Sequence, residues 1–164
     1  MLIILRHRPA EPAVPKHQPW YGLCCGPRSN MNSTEIPQSY DDLMRQKKAL
    51  AHLATLMPDG TPQVTPVWFD VADGKIRINT ARGRVKDRNM RKNAAVALSV
   101  TDPENPYRHV AIRGRVTNIT EQGADQHIDL LARKYLGKDK YPFRSPGEVR
   151  VMYEIEPTSV ATGG

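Results

Sequence analysis

From residue 51 onward the apolar positions fall mostly at every second residue, the period of a strand with one buried face. The last such run is the clearest. Val149, Val151, Tyr153 and Ile155 alternate with Arg150, Met152, Glu154 and Glu156, and Pro157 is expected to end it. Residues 75–80 alternate as strictly, with Ile76 and Ile78 on one face and Lys75 and Arg77 on the other. Residues 51–56 and 63–69 read as a hairpin around the turn signal Pro58-Asp-Gly60. Pro66 predicts an edge position or a bulge for the second of these, because proline has no N–H for a ladder. Ala72-Asp-Gly74 marks another tight turn. Residues 94–100 are apolar on both faces, which predicts a central strand. Residues 108–119 form a long strand in which Gly114 marks a bulge or bend.

Elsewhere the period changes. Ser39-Tyr-Asp-Asp offers a serine cap and first-turn acids, predicting a helix to about Lys48. Thr120 is placed to cap a second helix over 121–136, with Ala124, Ile128, Leu131, Ala132 and Tyr135 as its apolar stripe and Gly137 as its stop. A third, short helix opens near Lys86. Six strands joined largely by hairpins, with few helices, predict a small antiparallel barrel.

Composition narrows this. At 164 residues and 39% hydrophobic content, one domain is expected. Residues 1–30 hold five of the fourteen prolines and show no period, so they read as a disordered tail ahead of a domain over 31–164, with Met31 as a candidate natural start. Cys24 and Cys25 both lie in that tail, and with His7 and His17 they fit no zinc spacing. A body without cysteine suits a reducing cytoplasm. No apolar run approaches the roughly 18 residues of a membrane-spanning helix. Of the formal net charge of +7, residues 1–30 carry +3 and the remaining 134 residues only +4. The excess in the body is concentrated in residues 80–93, TARGRVKDRNMRKN, with six basic side chains and one acid. That points to a local anion site more than to a nucleic-acid face, and no aromatic residues interleave with the run.

No nucleophile elbow, zinc-protease motif or Walker loop is present. His52, His109 and His127 stand singly and read first as structural, and the acids form no pair spaced for general acid–base work. Chemistry without catalytic side chains points to a cofactor. The basic stretch follows a strand and precedes a helix: Asn79 and Thr80 end the strand, Arg82-Gly83-Arg84 makes the turn, and Lys86 lies in the first helical turn. A helix N-terminus with Arg84 and Lys86 beside it can hold a phosphate, whereas Arg88, Arg91 and Lys92 read as a solvated face. A charged helix face without a ligand is the competing reading.

Four segments in order carry a resemblance: A-H-L-A-T-L-M-P-D-G-T-P-Q-V-T-P-V-W-F, I-N-T-A-R-G-R-V-K-D-R-N-M-R, V-T-D-P-E-N-P-Y-R and I-R-G-R-V. Together they resemble the pyridoxamine 5′-phosphate oxidase-like superfamily, and within it the actinobacterial branch of coenzyme F420-dependent oxidoreductases. The resemblance spans residues 43–158. It implies a six-stranded split β-barrel in a Greek-key arrangement, working as a homodimer with the cofactor at the subunit interface. Coenzyme F420 is the implied cofactor, with FMN as the alternative. Arg84 and Lys86 are implied to bind its phosphate, and Arg82 the phosphate or the polyglutamate tail. Gln63, Val64, Thr65, Pro66 and Val67 are implied to run along the ring, Asn79 and Thr80 to contact the ribityl region, and Tyr107 and Arg108 to reach over from the partner. The implied reaction is hydride transfer at the deazaflavin C5 to or from an electron-poor C=C or C=N. Pyridoxamine phosphate oxidase activity itself is not expected, since the C-terminal Thr158-Ser-Val-Ala-Thr-Gly-Gly has no evident substrate-phosphate residues. An FMN enzyme of the same fold and a non-catalytic cofactor carrier remain as alternatives.

Overall fold

The computed structural model describes residues 33–164; the expectations for the tail, Met31 and the cysteines lie outside them. Seven antiparallel strands form one sheet: β1 (Ala51–Leu56), β2 (Pro62–Val67), β3 (Phe69–Ala72), β4 (Lys75–Ala81), β5 (Ala95–Thr101), β6 (His109–Thr120) and β7 (Arg150–Gly163). Their order is β2-β1-β5-β6-β7-β4-β3. Helix α1 (Val85–Lys92) joins β4 to β5, and α2 (Ala124–Leu136) follows β6.

The predicted strand over 63–69 is in fact two strands. Trp68 alone separates β2 from β3, yet these are the opposite edges of the sheet. One residue spans only a few ångströms, so the sheet must curl until its edges meet at Trp68. No ladder joins β2 to β3 among the described residues, so the curl is an open half-barrel. Pro66 sits on edge strand β2, where its missing N–H removes no second ladder bond. Inside the curl lies one apolar core, with Leu53, Phe69, Ile76, Ile78, Leu98, Ile112, Tyr153 and Ile155 all essentially buried.

Three boundaries differ from expectation. Ser39 caps nothing: a 3₁₀ turn Gln38–Tyr40 and a π-helical turn Asp42–Gln46 replace the α-helix, and the acids meant for its N-terminus pair with arginines, Asp42 with Arg108 and Asp41 with Arg45. Thr120 folds its hydroxyl onto the N–H of Gln122, and Gly123 precedes α2. The stripe and the Gly137 stop fall as predicted. Pro157 does not end the last strand. It lies opposite Gly114 at a register shift, where the ladder is already interrupted, and β7 runs on to Gly163. At Gly114 a Cβ would come within 2.6 Å of Ile155 Cγ2 and 3.0 Å of the Glu156 carbonyl, so the long strand bends at the residue without a side chain. Strand β5 is central in the order, as expected, but its outer face is only partly covered: Ala95 is exposed and Ala97 half-buried.

Candidate cofactor and anion site

A pocket of 330 Å³ opens where the sheet edges converge, lined along one side by Pro66, Val67 and Trp68. Its aromatic wall is built in layers. The Trp68 ring stacks on Tyr135 at 5.1 Å with the planes 3° apart, Tyr141 meets Trp68 edge-on, and Phe143 meets Tyr141 edge-on. The Tyr135 hydroxyl donates to the Ala49 carbonyl at 2.8 Å, which anchors the stack. Burial pushes that hydroxyl up to about 12, so it stays protonated as a donor.

Basic side chains adjoin these rings, with the Arg150 guanidinium 5.3 Å from the centre of the Tyr141 ring. Arg84, Lys86 and Arg150 line the pocket with Asn79 and Thr80. Gly83 turns the chain with φ of 83°, a geometry an L side chain resists, and its N–H donates to the buried carboxylate of Asp87 at 2.8 Å. That bond draws the turn onto α1, so Arg84 flanks the helix start and Lys86 occupies its first turn. Lys86 is half-buried and has no hydrogen-bond or ion-pair partner among the described residues. Burial lowers its pKa, and the charges of Arg84 and Arg150 lower it further. Among the described residues the carboxylate paired with these cations is Glu148: Arg84 Nη2 donates to its Oε2 at 3.1 Å and Arg150 Nη1 to its Oε1 at 2.8 Å.

The alternation puts Arg150 on the face of Met152 and Glu154, away from Val151 and Tyr153. Arg150 is 5% exposed, because α2 packs over the outer face of β4 and β7 at this end. A buried chain of polar groups holds it. Asp70 accepts from Arg77 and from His127 Nε2, which leaves His127 Nδ1 to accept from the Asn79 amide nitrogen at 3.3 Å. The same nitrogen donates to the Ala124 carbonyl at 2.7 Å, so Asn79 Oδ1 points at Arg150 Nε, 2.8 Å away. Burial opposes ionisation of Asp70, yet hydrogen bonds from His127 and Arg77 bring its carboxyl down to about 2. His127 is thus structural, as the sequence suggested.

The remaining residues implied by resemblance divide. Pro66, Val67, Asn79, Thr80, Arg84 and Lys86 come together here. The hydroxyls of Thr65 and Thr80 are buried without a partner in the described chain. Val64 is exposed, and Gln63 accepts from Thr55. Arg82 turns away to pair with Glu121. Within one subunit neither Tyr107 nor Arg108 reaches this pocket. Tyr107 is exposed, and Arg108 is tied to Asp42, Asp102 and the Ser39 carbonyl. Arg88, Arg91 and Lys92 are exposed, as a solvated face requires, with Arg88 donating to the Gly83 carbonyl and Arg91 pairing with Asp87. Sequence reasoning missed Arg150, Trp68, Tyr141 and Phe143. Trp68 gave no signal of its own, since the run 63–69 reads the same whether or not the strand changes edges.

A pocket between a phosphate-ready helix start and a flat aromatic wall, set in a curled antiparallel sheet, suits a phosphorylated ring compound. The model of the family described as pyridoxamine 5′-phosphate oxidase matches residues 36–162. The chain belongs to that family. No curated protein sequence matches this family member. Among solved structures, one named F420 reductase is 35% identical, covering 76% of this chain and 98% of its own, with a TM-score of 0.67. A conserved hypothetical protein from Mycobacterium tuberculosis is 20% identical, covering 82% of this chain and 89% of its own, at a TM-score of 0.64. A pyridoxamine 5′-phosphate oxidase homologue from Lactobacillus delbrueckii is 22% identical, covering 79% and 95%, at 0.56. The last two support the family's fold alone.

Proposed function

We propose that this family member is a coenzyme F420-dependent oxidoreductase, acting on an electron-poor C=C or C=N of a small organic substrate. One observation carries the reading: three cations line a pocket that aromatic rings also line, and one carboxylate, Glu148, pairs with two of them. F420 pairs a flat ring with a polyanionic chain, so its charge and shape match both ends. The 35% identity to a protein named F420 reductase supports the choice.

The residues present fit such a group. Lys86 lacks a partner, and the Thr80 hydroxyl is buried, unsatisfied and part of the lining. Arg84, Lys86 and the start of α1 would hold the phosphate. Pro66 and Val67 belong to an edge strand, one side of which keeps backbone groups unpaired for a ring. When bound, F420 supplies a hydride at its C5. Trp68 and Tyr141 keep water from one side of the pocket, and their edge-on packing fixes where a planar ring can lie. Cations, rings, aliphatic groups and the polar side chains of Asn79 and Thr80 make up the lining, so this chain contributes position and charge.

The reading includes a homodimer in which a second copy covers the pocket. Tyr107, 80% exposed, and the outer strip of Ala54, Leu56, Ala95 and Ala97 suit such an interface. Titration of the purified chain with F420 and with FMN, followed by cofactor fluorescence, tests the assignment. Tight binding of FMN with no response to F420 would move it to the flavin enzymes. Binding of F420 without consumption of its reduced form, across a panel of electron-poor acceptors, would make it a carrier.

A further inference from the structure

Glu148 occupies the place of a counter-ion at this site. Its two carboxylate oxygens are divided between Arg84 and Arg150, 3.1 and 2.8 Å from the donating nitrogens. That is the arrangement one phosphate would adopt between two guanidinium groups. Arg150 is otherwise fully prepared. Its side chain is 4% exposed and its Nε is fixed by Asn79, while Nη2 has no partner among the described residues. Arg84 is its opposite, half exposed on the turn before α1.

The element that bears Glu148 is stapled down but ends at the pocket. Asp129 of α2 accepts from the Tyr141 N–H, Lys140 and Arg144, and Asp125 takes Arg144 as well. Beyond these ties, the Val149 carbonyl accepts from the Arg82 N–H at 2.9 Å, which sets Glu148 beside the basic turn. Its carboxylate can therefore swing without loss of the segment that carries it.

We propose that Glu148 is the displaceable internal counter-ion of the three-cation site: the carboxylate bridges Arg84 and Arg150 until an incoming phosphate takes its place. This rests on the assignment of the pocket to a phosphate-bearing cofactor. Glu148 then determines how much negative charge the site accepts. With it, three cations carry a net charge of two; a ligand anion must compete with a carboxylate already in position. A neutral ring compound meets no such competition.

The test uses the full chain with two fluorescent probes, F420 and its deazariboflavin core stripped of phosphate and tail. Their affinity ratio isolates the contribution of the anionic chain. For Glu148→Gln, which preserves shape, the expected result is F420 binding tighter by about tenfold with the core unchanged. For Arg150→Met the ratio should fall by about tenfold or more, again with little change for the core. Weaker F420 binding by Glu148→Gln overturns the proposal, since it would make Glu148 a support for the arginines. So does an unchanged ratio in either variant. Failure of the underlying assignment looks different: the unsubstituted chain would then bind F420 and the core equally. Near-ultraviolet circular dichroism confirms that each variant is folded, and Glu148→Ala must move the ratio in the same direction as Glu148→Gln.

Discussion

Arg108 and Arg84 are the same residue in opposite circumstances. Arg108 joins a knot in which two cations, with Lys47, meet three carboxylates, Asp42, Asp102 and Glu104. Hydrogen bonds from Lys47, the Glu104 N–H and Arg108 hold the Asp102 carboxyl far below the usual range. Every charge there finds its counterpart inside the chain. Around Arg84 the ratio reverses: three cations line the pocket, and among the described residues Glu148 is the carboxylate paired there, with Arg84 and Arg150. A cluster in which every cation is paired ties the first turns to the β5–β6 loop; one with cations in excess stores attraction for something outside the chain. The number of arginines distinguishes neither region. The supply of acids does.

The contrast can be broken in order of expected effect. Arg84→Ala with Lys86→Ala should lower F420 affinity roughly 30- to 100-fold while the thermal midpoint barely moves, by fluorescence titration and calorimetry on one preparation. Equal loss of stability and affinity would mean that the basic turn is scaffold like the knot. His127→Ala strips Asp70 and Asn79 of a buried partner and should cost about 2–3 kcal/mol in urea unfolding. It should also weaken F420 binding through Arg150. Acid probes the same chain of groups. Asp70 is depressed from the ordinary 3.8 to about 2, so its contribution is complete above the unfolded value and fades as pH falls from about 4 to 2. About 2 kcal/mol of stability should disappear over that window, and Asp70→Asn should remove that part of the slope. Arg108→Met should lower the melting midpoint by a few degrees and leave F420 affinity intact. Last, Lys92→Ala, at the solvated end of α1, should change stability by less than about 0.5 kcal/mol and affinity by nothing measurable.

Much of this arrangement was readable beforehand, and where it was not the reason is geometric. Alternation located the strands because one-sided burial imposes a period of two. It says nothing of a second layer over the other face, which is what buries Arg150. The basic turn was legible because Gly83, Arg84 and Lys86 are contiguous. Glu148 was not, since 64 residues separate it from Arg84 and only the β4–β7 pairing unites them. Trp68 was hidden because a strand that changes edges has the same sequence pattern as one that continues. Ser39 misled because a cap needs the backbone to be α-helical behind it, and arginine contacts across the fold decided otherwise.

The curl of the sheet also has a bearing on synthesis. The β3–β4 hairpin is attached to the remainder of the sheet through β7 alone, and β7 begins only at Arg150. As the chain leaves the ribosome, β1 and β2 can pair at once and β5 and β6 can join them, while β3 and β4 wait with an unmatched edge. The two halves of the anion site come together only when the final strand slots between β6 and β4. Ribosome-bound chains stopped before residue 150 should therefore hold a protected β1–β2–β5–β6 sheet with a protease-sensitive segment over residues 69–81.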